Sequence, residues 1–144
     1  MVTVDLLKKA DLFGDLSDEV LDAIAKTASS ESYEDGQNVY QLGDDAKALF
    51  LVDSGRIRFS LGVGNRPETS GSVLGPGSLF GWAALLDEQP RRVATASCLE
   101  DTTLYVFQSD KLLELFAADN AAGYSVMRRL ATMISHDFMS VLSI

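Results

Sequence analysis

The stretch Gly75-Pro76-Gly77-Ser78-Leu79-Phe80-Gly81-Trp82-Ala83-Ala84-Leu85-Leu86 is followed, after Asp87-Glu88-Gln89, by Pro90-Arg91-Arg92-Val93-Ala94-Thr95-Ala96. It reads as a glycine turn leading into a very short helix, with two arginines opening the next strand. Backbone N–H groups at a helix start, set beside a guanidinium, suit one phosphate because the peptide dipoles and the arginine fork both favour an anion. The same residues have a plainer reading, in which the glycines only turn the chain and Arg91 and Arg92 sit in solvent.

Working outward, glycines recur from Gly36 to Gly81 at the spacing of short antiparallel strands. Ala48 to Val52 is a continuous apolar run, while Arg56-Ile57-Arg58-Phe59-Ser60-Leu61 alternates polar with apolar. Asp53-Ser54-Gly55 between them predicts a hairpin joining the two strands. Residues 62–72 lack periodicity and read as an exposed loop. Strands resume at Ser72-Val73-Leu74, then at Val93 to Cys98 and Thr103 to Phe107.

Helical spacing brackets this region. Ser17 is the expected N-cap of a helix carrying Val20, Leu21, Ile24 and Ala28, preceded by a shorter turn that stops at Gly14. After Ser109 come Leu112, Leu113, Leu115 and Phe116, a break at Asp119-Asn120, and a helix from Ala121 towards Leu142. Segregated strands and helices indicate an α+β domain. Its expected division is N-terminal helices over 1–30, strands over 31–108 and C-terminal helices over 109–144.

The element order, with Glu34-Asp35-Gly36, Leu42-Gly43-Asp44, Leu49 to Gly55, Leu79-Phe80-Gly81 and Pro90-Arg91-Arg92-Val93-Ala94, resembles the cyclic nucleotide-binding domain family. That family includes the sensor domains of Crp/Fnr-type bacterial regulators. The resemblance implies a jelly-roll-like antiparallel β-roll, a double-stranded β-helix with short N-terminal and C-terminal helices, and a phosphate-binding cassette spanning Phe80 to Ala94. It implies that Arg92 meets a cyclic phosphate, with Arg91 as the register alternative, and that Gly81, Ala83 and Ala84 supply backbone near phosphate and ribose. Phe80, Trp82 and Val93 complete the expected binding set.

Two residues depart from the family pattern. Trp82 stands where a glutamate would accept the ribose 2′-hydroxyl, and Val93 where a small hydroxyl residue or alanine is common. The implied ligand is cAMP, cGMP or another cyclic nucleotide, not a cofactor. The rival reading is a degenerate roll that serves protein interaction or dimerisation. Trp82 is either an aromatic platform for a base or a core or lid residue among apolar neighbours.

Composition narrows the field. Among 144 residues, 12 basic and 21 acidic side chains give a net charge of −9, which repels nucleic acid backbones. One cysteine, Cys98, and one histidine, His136, leave no disulfide and no Cys/His zinc cluster. Cys98 reads as a small buried hydrophobe and His136 as a surface residue. The motifs HExxH, GxSxG, CxxC and GxxxxGK[ST] are missing, so a non-enzymatic module is expected. No apolar run approaches the length of a membrane span or signal core, which leads to a cytoplasmic expectation.

Met127, Ala131, Ile134, Phe138 and Val141 form a short seam of coiled-coil spacing, from which a homodimer through the C-terminal helix is expected, against packing on the protein's own roll. Arg128 and Arg129 read as a solvated face. Crp/Fnr-type regulators continue into a helix-turn-helix domain, and the 144 residues show no such element. They read equally as a stand-alone sensor or as a domain of something longer.

Overall fold

The computed structural model describes residues 2–60, 73–86 and 88–142. Its strands are β1 (Ser29–Tyr33), β2 (Asn38–Tyr40), β3 (Ala48–Ser54), β4 (Ile57–Ser60), β5 (Val73–Leu74), β6 (Leu79–Phe80), β7 (Thr95–Cys98) and β8 (Thr102–Gln108). They form two four-stranded sheets, ordered β1-β8-β3-β6 and β2-β7-β4-β5, with every pairing antiparallel. The first strand pairs with the last, the second with the seventh, and so inward to β4 and β5. A ribbon thus folds back on itself and winds alternately through two sheets, which is the double-stranded β-helix of a jelly roll.

The expected hairpin at Asp53-Ser54-Gly55 does not form. β3 pairs with β6 and β8, whereas β4 pairs with β5 and β7. The turn carries the chain from one sheet to the other. Gly55 makes the crossing at φ +97°, so close to β8 that a Cβ would lie 2.7 Å from the Thr102 Cα. The loop expected over residues 62–72 lies outside the described residues.

The apolar run of β3 is buried on both faces, as a strand between two layers requires. Ala48, Phe50 and Val52 point into the roll, joined by Leu104 and Val106 of β8. Leu49 and Leu51 point the other way, with Phe107, into a helical layer. That layer contains α1 (Val4–Lys8), a 3-10 turn (Asp11–Phe13), α2 (Asp18–Lys26), α3 (Ser109–Ala118) and α4 (Asn120–Leu142).

Ser17 caps α2 as expected, its hydroxyl accepting from Val20 N–H at 3.3 Å. Gly14 ends the preceding turn without a left-handed conformation; its φ is −61°. Arg129 lies over it, 3.3 Å from where a Cβ would stand. Arg129 is half-buried instead of fully solvated. It donates to Asp15 Oδ2 at 2.8 Å and to the Asp11 carbonyl at 2.7 Å, while Arg128 donates to the Tyr124 hydroxyl at 3.1 Å. Among the described residues no helix is long and apolar enough to cross a membrane.

α4 buries Ala122, Val126 and Leu130 against α3 and the N-terminal turn. This stripe is offset from the expected seam. Of the seam residues, Met127 and Ile134 flank the core, Ala131 is exposed and Phe138 is 60% exposed. The side chain of Val141 lies outside the described residues. Cys98 is buried and His136 exposed, as read from the sequence.

Candidate ligand site in the roll

The strand expected from Val93 begins only at Thr95, so the two arginines precede β7 instead of opening it, and they face opposite ways. Arg91 bridges to Asp45 across the backbone, is exposed, and forms an ion pair with the Asp45 carboxylate at 2.9 Å. Arg92 points inward and is 5% exposed. Its Nη1 donates to the Gly81 carbonyl at 2.9 Å and its Nη2 to the Ala48 carbonyl at 2.8 Å. Its guanidinium carbon sits 4.1 Å from the centre of the Tyr40 ring and 5.5 Å from that of Phe50.

Burying a charge costs several kcal/mol unless a counter-charge compensates, on the order estimated for buried ions. Among the described residues Arg92 has no ion pair, and its Nε has no hydrogen-bond partner. Burial lowers its pKa, with Tyr40 and Asp44 acting in the opposite sense. Arginine nonetheless stays protonated in proteins. The wall therefore carries a fixed cation, oriented by two carbonyls and lacking an anion.

Gly81 shapes this arrangement. It adopts φ +87°, and a Cβ there would lie 3.0 Å from Arg92 Nη1 and 3.1 Å from the Ala48 carbonyl oxygen. Phe80, 2% exposed, stacks on Phe50 with centroids 5.1 Å apart and meets Phe59 edge-on at 5.5 Å. The short helix that follows is a single 3-10 turn, Trp82–Leu85. Four residues build little macrodipole. The very short helix expected after the glycine turn is thus present, and Arg92 is the charged side chain beside it.

These residues border a cavity of about 1090 Å³. Of the expected binding set, Phe80, Gly81, Trp82, Ala83, Arg92 and Val93 lie on its wall, whereas Ala84 and Arg91 do not. Ala84 is buried against Ala46 and Ala83. Val93 is 52% exposed. Trp82 is half-buried, packed against two apolar clusters while also lining the cavity.

Other wall residues escaped the sequence reading. Tyr40 and Phe59 come from the roll; Lys9 and Asp11 come from the N-terminal turns; Met133, Asp137 and Phe138 come from α4. Aromatic residues in strand context were the available signal for Tyr40 and Phe59. Nothing local marks the helical residues, which reach the cavity only through the tertiary fold.

The chain is thus a double-stranded β-helix with a buried arginine on its cavity wall and its C-terminal helix bordering the same cavity. Residues 30–119 match the cyclic nucleotide-binding domain model, and the chain belongs to that family. It is 35% identical over 138 residues to the cyclic AMP receptor protein of Thermus thermophilus, covering 95% of this chain and 57% of the relative. The solved catabolite activator protein of Thermus thermophilus superposes with a TM-score of 0.76 at 30% identity, covering 91% of this chain and 61% of that one. The regulatory domain of Toxoplasma gondii PKA, solved with cAMP, gives a TM-score of 0.69 at 27% identity over 84% of this chain and 45% of that one. The chain thus spans little more than half the length of the Thermus receptor.

Proposed function

We propose that residues 1–144 act as one non-enzymatic, cytoplasmic regulatory domain that binds cAMP, cGMP or a related phosphate-bearing small molecule in its roll. The carrying observation is Arg92: a cation 5% exposed, unpaired among the described residues, on the wall of a cavity large enough for a nucleotide. An anion reaching it meets a prearranged donor in a low-dielectric setting, where a charge-assisted hydrogen bond is strong. Because α4 borders the same cavity, occupancy can bias the position of that helix by the ligand's differential affinity for its alternatives.

Thermal unfolding in cAMP, cGMP and cyclic dinucleotides at millimolar excess tests this reading. A ligand at a hundred times its Kd stabilises by about 2.7 kcal/mol. The shift should vanish in Arg92→Ala and in Arg92→Met, which keeps apolar volume at the site. No shift with any of these compounds in folded wild-type protein would refute it.

A second reading, a roll that acts through protein contact, is favoured by Phe138 and Met139, 60% and 58% exposed on α4. A second copy packed on this face would make a homodimer. A monomeric mass by light scattering at high concentration removes that possibility.

A further inference from the structure

β2 carries an irregularity at its centre. Asn38 lies opposite Ser97 of β7, yet Tyr40 lies opposite Ala96, so two steps along β2 match one along β7. An inserted residue reverses the facing of every side chain beyond it. Directly opposed residues share a face, and Ala96 is wholly buried in the roll. The bulge therefore turns Tyr40 inward, where its ring packs near Phe50 and Phe80 at 6.0 and 6.2 Å and forms a platform for the Arg92 guanidinium.

A phenylalanine would supply the same packing and the same cation–π contact. The hydroxyl requires its own explanation. Tyr40 is half-buried, so its hydroxyl is open to a group in the cavity instead of being sealed in the core. Tyr40 lines the cavity. The guanidinium lying on its ring has Nη1 and Nη2 tied to carbonyls and its Nε free. The hydroxyl is carried by the same ring whose centre lies 4.1 Å from the guanidinium carbon. Burial pushes its pKa up to about 12, so at neutral pH it is a donor. Arg92 and the Tyr40 hydroxyl are thus donors on the same cavity wall, and a tetrahedral or planar oxyanion supplies acceptors for both.

We propose that Tyr40 is a second recognition residue of the cavity, donating its hydroxyl to the oxyanion that Arg92 receives. The inference rests on the ligand reading above and adds the requirement that the anion offer two acceptor oxygens, as a phosphodiester or a carboxylate does.

Calorimetric titration of cAMP into wild-type and Tyr40→Phe protein tests it. Loss of a hydrogen bond to a charged group should weaken binding by about tenfold or more. The unfolding temperature without ligand should remain that of the wild type, since ring and platform are retained. The two phosphorothioate diastereomers of cAMP supply a readout that packing alone would not move: their affinity ratio should change in Tyr40→Phe, because one oxygen is read by the hydroxyl. An unchanged Kd and an unchanged ratio would overturn this inference and leave the ligand reading standing. Wild-type protein that binds none of the cyclic nucleotides would overturn both.

Discussion

The floor of the cavity lies in the roll, where Phe80 is 2% exposed and stacked on Phe50 and where Arg92 is pinned by two carbonyls. Its roof is α4, where Phe138 is 60% exposed and the tie to the N-terminal turns runs through Arg129, Asp15 and the Asp11 carbonyl. One side is closed by interdigitated rings and short hydrogen bonds. The other packs Ala122, Val126 and Leu130 into the helical core and adds an ion pair whose side chains are 39% and 62% exposed. Under the proposed function, the roll would recognise the ligand and α4 would report occupancy.

The sharpest way to break the floor is Gly81→Ala. A side chain in the left-handed region costs about 1–3 kcal/mol. The added methyl would also press on Arg92 Nη1 and the Ala48 carbonyl. Reduced stability together with loss of the cyclic nucleotide shift is expected by differential scanning fluorimetry. A variant as stable and responsive as the wild type would show that the floor tolerates rearrangement.

Trp82 lies between the two regions, on the cavity wall and against the helical core. It begins directly after the Gly81 carbonyl that Arg92 grips, so whatever adjoins a bound phosphate meets an indole instead of an acceptor. The carboxylate on the roll wall, Asp53, is distant. Asp53 is five residues along β3 from Ala48, about 16 Å at strand rise. Trp82→Glu should therefore raise cAMP affinity by about tenfold, the smaller end of the effect of a charge-assisted hydrogen bond to its 2′-hydroxyl. The gain should be missing for 2′-deoxy-cAMP. Equal or weaker cAMP binding in the variant would refute this account of position 82.

Much of this contrast could be read from the chain before its fold was known, and the failures have physical causes. Ser17, the apolar run at Ala48 to Val52 and the segment from Gly75 to Ala96 announce themselves because capping, burial on two faces and tight turns impose local residue choices. Choosing between Arg91 and Arg92 needs strand register, which adjacent identical residues cannot supply. Tyr40 was missed because a bulge reverses parity without leaving a compositional mark. The hairpin misreading at Asp53 to Gly55 arose because turn chemistry specifies a reversal but not which sheet receives the next strand. The roof helix was legible from Ala121 towards Leu142 but its wall residues were not, since Lys9, Asp11 and Asp137 line one cavity only after α4 has packed.

The smallest effect expected is at the roof itself. Arg129 holds the Asp15 carboxyl below its ordinary pKa, chiefly by the hydrogen bond between them, and Asp15 in turn raises that of Arg129. A carboxyl whose folded pKa is depressed contributes stability above its unfolded value, about 3.9, and that contribution fades as pH falls through the lower folded value. Arg129→Ala should accordingly be slightly less stable than wild type at neutral pH, by less than Gly81→Ala. The gap should narrow on acidification below the ordinary carboxylate range, because the wild type then loses the pair as well. Chemical denaturation of both proteins across that range measures it. A gap that stays constant into acid would mean that Arg129 stabilises through its stem on Gly14 and its bond to the Asp11 carbonyl, neither of which titrates, and that the roof is tied more firmly than an exposed ion pair implies.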